Sequence, residues 1–209
     1  MSDDKKEMSQ EVFANEIIPR IFLGNVDASS DRDFLIRNNI SVIVNCTKDL
    51  PNVYQPLFLR DSIDDATEDV KAWIQKNTIQ YHRLAIDDNS RKEEIQLFEK
   101  ECKKILYPMT QAYKEGKSIL VHCLAGSQRS ASFLAIWMMI MFQRRFDEVK
   151  DFIVDRRPQA FLFGRQVNFQ DAISNIENEI FAPDDKTIPT RDGVLLSDPS
   201  LEGSNKAEE

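Results

Sequence analysis

Histidine and cysteine are too scarce in this chain to build a metal centre or a disulfide framework. Only His82 and His122 are present, and the three cysteines, Cys46, Cys102 and Cys123, are widely spaced and odd in number. No disulfide scaffold, structural zinc site, other metal or cofactor is expected. Long apolar runs are lacking as well: the longest, residues 133–142, has about half the length that a bilayer span requires. The first residues contain no apolar signal segment, so a soluble protein of a reducing compartment is expected, cytoplasmic with access to the nucleus and without a membrane partner. Positive charge is also short, with 27 Lys and Arg against 35 Asp and Glu and a net charge of -8. A nucleic-acid partner held by bulk charge is therefore not expected. There are no internal repeats, and no pattern specifies an oligomeric state.

The acidity is unevenly placed. Residues 1–16 carry five acids and two lysines, and residues 182–209 carry seven acids and three bases, which leaves the middle of the chain close to neutral. Both ends lack apolar periodicity, and neither can bury enough surface to offset chain entropy. The expected organisation is a flexible N-terminal tail over 1–16, one domain over 17–181 and an acidic flexible tail over 182–209. Removing the tails should leave turnover at saturating substrate largely intact.

Within the domain, residues 17–24 read as a strand entered through Pro19, and residues 30–37 as a helix capped by Ser29 or Ser30. Residues 40–44 are an apolar run broken only by Ser41, as in a strand buried on both faces. Two more short strands are expected at 79–86 and 118–121. From Glu93 onward Ile95, Phe98, Cys102, Ile105 and Met109 recur at helical spacing, with a kink at Pro108 and closure at Gly116. Helices are expected over 128–143, 147–156 and 165–180, and a short one over 68–75. Strands alternating with helices imply an α/β fold: a central, mostly parallel sheet flanked by helices on both faces.

The chemistry is concentrated where a buried strand runs through His122 into Cys123, a short loop, and an arginine that opens an apolar helix. Such a loop can converge its backbone N–H groups on an anion, because Gly126 tolerates unusual torsions and a helix N-terminus adds free donors and positive potential. Leu124, Ala125, Gly126, Ser127, Gln128 and Arg129 are the candidate binding residues, Arg129 adding a two-pronged contact to phosphate oxygens. The same field favours the thiolate of Cys123, a nucleophile inside a phosphate-sized cradle.

The segment HCLAGSQRS (residues 122–130) resembles the HCxxGxxRS signature of cysteine-dependent protein phosphatases, specifically the small dual-specificity branch. IIPRIFLGNVDAS, NNISVIVNCT followed by LPN, YHRLAIDDN and the late RRP resemble family segments in the family's order, so the likeness covers about residues 17–178. It implies a protein tyrosine phosphatase-like fold and hydrolysis of phosphotyrosine and phosphoserine or phosphothreonine in phosphoproteins through a phosphocysteine. It assigns Asp88 as the acid that protonates the leaving oxygen, with Asp87 the alternative one position away. Ser130 matches the hydroxyl that steadies the leaving thiolate, and His122 a residue that orients the loop from beneath. Three departures stand out. Gln128 replaces a smaller residue and is expected to crowd the loop. After RRP the usual Pro-Asn pair gives way to Gln159-Ala160-Phe161. The link between LPN and Tyr81 is longer by roughly 15 to 20 residues, about one short helix.

Structural readings compete at several of these positions. Cys46 and Cys102 read as core residues, with the alternative that one traps Cys123 as a disulfide. Asp87 and Asp88 can form a solvated turn, and His82 reads as a strand surface residue. The run at 137–142 reads as a buried helix behind the loop, and Arg144, Arg145, Arg156 and Arg157 as solvated helix ends. Two alternatives to protein substrates share the chemistry, a phosphoinositide and an RNA 5′ triphosphate. The uncharged Leu124, Ala125, Ser127 and Gln128 suit a single phosphate better. A weakly active module that only binds phosphoresidues needs a missing nucleophile, arginine or acid, and none is missing.

Overall fold

Three apolar runs make the parallel centre of the molecule: β2 (Ile21–Gly24), β3 (Ile40–Asn45) and β5 (Ser118–His122). The computed structural model describes residues 12–55, 79–89 and 91–182. In it β5 lies between β2 and β3, β4 (Gln80–Arg83) extends the sheet beyond β3, and β1 (Ala14–Ile18) pairs antiparallel with β2 at the other edge. Ile119, Leu120 and Val121 stand opposite Ile21, Phe22 and Leu23 on one side and opposite Val42, Ile43 and Val44 on the other. The pleat sends alternate residues to opposite faces. Ile119, Val121, Val42 and Val44 therefore join the larger core, whereas Leu120, Ile43 and Phe22 join the smaller one.

Two short helices, α1 (Val26–Ser30) and α2 (Arg32–Arg37), cover the smaller core through Ala28 and Leu35. The larger core is covered by α3 (Lys92–Lys114), α4 (Arg129–Phe142), α5 (Phe146–Arg156) and α7 (Gln170–Ile180), with the short turn α6 (Phe161–Gly164) between the last two. The expected α/β architecture with helices on both faces is the one observed. Helix α4 is fully buried over Ser130–Met139 and leans on α3 through Trp137, whose Nε1 donates to Thr110 Oγ1 at 3.0 Å. That hydroxyl in turn donates to the Leu106 carbonyl, one turn back and two residues before Pro108.

Local differences from expectation have physical reasons. The single strand expected over 17–24 is a hairpin: Pro19 and Arg20 form its two-residue turn, with Ile18 opposite Ile21 and Arg20 at a φ of 70°. Arg20 holds that left-handed conformation through its own N–H to Glu16 Oε1 and its guanidinium to the Tyr113 carbonyl. The hairpin draws Ala14, Asn15 and Glu16 out of the expected tail and into β1. The helix expected over 30–37 is α2, which starts at Arg32 and is capped by Asp31 rather than by serine, and a separate helix, α1, capped by Asn25, precedes it, as carboxylate and amide oxygens at these positions accept the first free amides. Residues 165–169 are not helical, and α7 starts at Gln170. The helix expected over 68–75 and the acidic stretch beyond Ala182 lie outside the described residues.

Candidate active site

β5 delivers Cys123 to the end of the sheet, and six residues later Arg129 opens α4. The intervening loop is shaped by where its carbonyls go. Leu124 O accepts from Val26 N at 3.1 Å, Ser127 O from Phe161 N at 2.8 Å and Gln128 O from Ser132 N at 2.8 Å. Ala125 O and Gly126 O accept from Arg157, through Nη2 at 3.2 Å and Nε at 2.8 Å. Five consecutive carbonyls are thus drawn outward by partners on four different elements. No peptide bond among the described residues is cis, so each N–H in the loop points opposite to the carbonyl of the same peptide plane. The amides of residues 125–129 are consequently turned to the inside of the loop, as an anion cradle requires. Gly126 has a φ of +65°, and a Cβ there would lie 2.4 Å from the Gly24 carbonyl oxygen; no other residue fits.

Cys123 is 2% exposed, and its Sγ accepts a hydrogen bond from Ser130 Oγ at 3.1 Å. Arg129 donates from Nη1 to the Ile86 carbonyl at 3.1 Å, while its buried Nε has no hydrogen-bond partner among the described residues. Among the described residues the nearest acid to that nitrogen is Asp88, with Oδ2 at 3.9 Å. Asp87 points elsewhere: its carboxylate faces Lys48 Nζ at 3.4 Å, and its N–H donates to Glu94 Oε2. Asp88 therefore faces the loop arginine, whereas Asp87 faces Lys48. His122 is buried beneath the loop, and burial pulls its pKa down to about 4, so the imidazole is neutral. Leu124 is exposed and Ala125 lies at the surface, whereas Ser127 and Gln128 are buried.

The model of the dual specificity phosphatase catalytic domain matches residues 21–179. The chain belongs to the dual specificity phosphatase family. Among curated relatives of that family, human dual specificity protein phosphatase 2 is 27% identical over 162 residues, which is 74% of this chain and 43% of that protein. Dual specificity protein phosphatase 1-A of Xenopus laevis is 23% identical over 171 residues, 80% of this chain and 38% of the relative. The chain thus spans less than half the length of either. Of solved structures, human DUSP28 superposes with a TM-score of 0.61 at 17% identity, covering 82% of this chain and 97% of the other. The human tyrosine phosphatase-like serine/threonine/tyrosine-interacting protein gives 0.58 at 21% identity, with 81% and 98% covered. These two likenesses concern the fold.

Within this family member, two residues do more than their sequence suggested. Arg157 is not a solvated helix end: it is 1% exposed, and besides the two loop carbonyls it donates to Asn15 Oδ1 at 2.8 Å. Burial lowers its pKa to about 10, against the attraction of Cys123, so it stays a cation at neutral pH. Only its place after α5 in the RRP segment set it apart from its neighbour Arg156, which stacks over Phe152. Gln128, expected to crowd the loop, turns away from it: Nε2 donates to Gln166 O at 2.9 Å and Oε1 accepts from Asn168 N at 3.0 Å. Ser127 also turns outward, donating to the Gln159 carbonyl at 2.7 Å. Cys46 and Cys102 are core residues whose thiols burial pushes up, that of Cys102 to about 12.

Proposed function

We propose that this domain hydrolyses phosphomonoesters of phosphoproteins, on tyrosine and on serine or threonine, through a covalent phosphocysteine at Cys123. The observation that carries the reading is the outward capture of five loop carbonyls around a nearly buried cysteine whose sulfur accepts the Ser130 hydroxyl. In the first step the Cys123 thiolate attacks phosphorus, the bond to the leaving oxygen breaks, and Asp88 gives that oxygen a proton. Loop amides and the Nε of Arg129, which has no hydrogen-bond partner among the described residues, take the charge of the equatorial oxygens, the main service a protein can offer this reaction. In the second step water attacks phosphorus, its proton passes to the Asp88 carboxylate, and the sulfur–phosphorus bond breaks. Ser130 donates to the departing thiolate, and inorganic phosphate leaves.

One phosphate suits the site better than several. Ser127 and Gln128 are committed to other segments, and Leu124 and Ala125 carry no charge, so Arg129 is the cation that the loop itself contributes. Replacing Cys123 with Ser should abolish turnover of an aryl phosphate while binding persists; retained turnover overturns the mechanism. A panel of phosphotyrosine, phosphothreonine and phosphoserine peptides, inositol phospholipids and triphosphate RNA tests the substrate class, with faster turnover of the lipids or RNA counting against it.

A further inference from the structure

The acid of a two-step phosphoryl transfer must present the right oxygen at the right place, and a surface carboxylate on a loop does not do so unaided. The Asp88 side chain is 30% exposed and follows a residue, Asp87, that is anchored in another direction. What holds Asp88 is a set of amides reaching it from the far side of the phosphate loop. Gln128, buried in that loop, grips the segment before α7 at two points, Gln166 O and Asn168 N. The Gln166 side chain then donates through Nε2 to Asn168 Oδ1 at 2.7 Å. With its oxygen taken, the Asn168 amide has to present its nitrogen to Asp88, and Nδ2 donates to Asp88 Oδ1 at 2.7 Å.

We propose that Asn168, oriented by Gln128 and Gln166, is the residue that positions the general acid and fixes which carboxyl oxygen carries the proton. An oxygen that accepts a short amide hydrogen bond keeps its lone pair engaged, so the proton sits on Oδ2. That is the oxygen facing Arg129, and hence the bound phosphate. When the proton has moved to the leaving oxygen, the new carboxylate retains the Asn168 donor, an interaction that strengthens as charge develops. The arrangement also gives a role to Gln128, the departure from the family pattern inside the loop: one side chain ties the phosphate cradle to the support of the acid. Asn168 is a positioning residue and does not touch the substrate.

The inference rests on the assignment of Asp88 as the acid, and the test separates the two. Values of kcat/KM, which report the first chemical step, are measured for aryl phosphates of graded leaving-group acidity with the parent chain and with Asp88→Asn, Asn168→Ala, Gln166→Ala and the Asp88→Asn/Asn168→Ala double variant. Asp88→Asn should steepen the dependence on the leaving group. Asn168→Ala should steepen it in the same sense, with a loss of about 10- to 100-fold for the poorest leaving group and a much smaller loss for the best. Gln166 is at the surface, so Gln166→Ala keeps the fold and should give a weaker form of the same pattern. The double variant should be no worse than Asp88→Asn alone. An equal loss across all leaving groups in Asn168→Ala, or additive losses in the double variant, overturns the positioning role while leaving the acid in place. A flat series for Asp88→Asn overturns the acid assignment and the positioning role with it.

Discussion

His122 makes the stability of this domain depend on pH over a window that its burial defines. The residue is 1% exposed, and its Nδ1 has no hydrogen-bond partner among the described residues. Burial, aided by the Arg83 and Arg129 cations and opposed by the Cys123 main chain, lowers its pKa from 6.5 to about 4. In the unfolded chain the imidazole takes up a proton near pH 6.5, whereas in the folded chain it stays neutral until about pH 4. Between those values the unfolded state holds more protons, so the folded state loses stability as pH falls through the window and is unaffected by this group above it. The full gap corresponds to roughly 3 kcal/mol, and about 2 kcal/mol of it is lost between pH 7 and pH 5. Proton NMR reads the titration directly, because only two histidines contribute ring signals. Urea unfolding at pH 7 and pH 5 reads the energy, and the parent should lose about 2 kcal/mol more than His122→Asn does. His82, also lowered by burial, is present in both proteins and cancels. A His122 resonance that titrates near 6.5, or equal losses in parent and variant, refutes the reasoning.

Gly126→Ala should disable the loop, since the added methyl meets the Gly24 carbonyl oxygen at 2.4 Å and Arg157 Nη2 at 2.6 Å at a positive φ. A loss of about 100-fold in kcat/KM is expected from displaced loop donors, and parent-like kinetics count against the cradle. Arg157→Met leaves two loop carbonyls and Asn15 without their donor and should cost about 3 to 5 kcal/mol in urea unfolding; Arg157→Lys, reaching fewer of the three, should recover only part. Iodoacetate at pH 7 should carboxymethylate Cys123 and spare Cys46 and Cys102, whose buried thiols are held protonated. Peptide mapping checks this, and labelling of Cys46 at a rate equal to that of Cys123 contradicts it.

The parts of the fold that were legible in the sequence are those in which one local pattern decides the outcome. Residues 40–44 and 119–121 are apolar apart from Ser41 and became central strands; the HCLAGSQRS segment carries its loop, its glycine and its helix start within nine residues. What was hidden depends on contacts between distant segments. Arg20 takes a positive φ that no glycine announces, because the Glu16 and Tyr113 partners that hold it are supplied by the fold. Phe161, Leu162 and Phe163 follow the same rule, with φ values of 51°, 47° and 60° in a turn tied to Ser127. Arg156 and Arg157 are indistinguishable by type, yet one lies at the surface and the other sits under the phosphate loop. Asp87 and Asp88 are likewise alike in sequence but not in direction: the adjacent carboxylates face Lys48 and Arg129 respectively.

The excess of acid over base then has a simple place in the physics of the site. On the proposed mechanism a chain of net charge -8 would attract a phosphate dianion by arranging a few donors, since exposed charges more than about 10 Å away are largely screened at ordinary ionic strength. The decisive choice is made on the outside of the loop. Val26 N, Phe161 N, Ser132 N and two nitrogens of Arg157 take the carbonyls, and peptide planarity then turns the amides inward. The cradle is accordingly as rigid as its outer shell, and that shell is drawn from α1, α4, α6 and the end of α5. Substitutions beneath the loop that touch no substrate should therefore impair it as severely as substitutions within it. Gln128 extends the same logic by one step, because the shell that aims the amides also reaches through Asn168 to Asp88, the proposed acid.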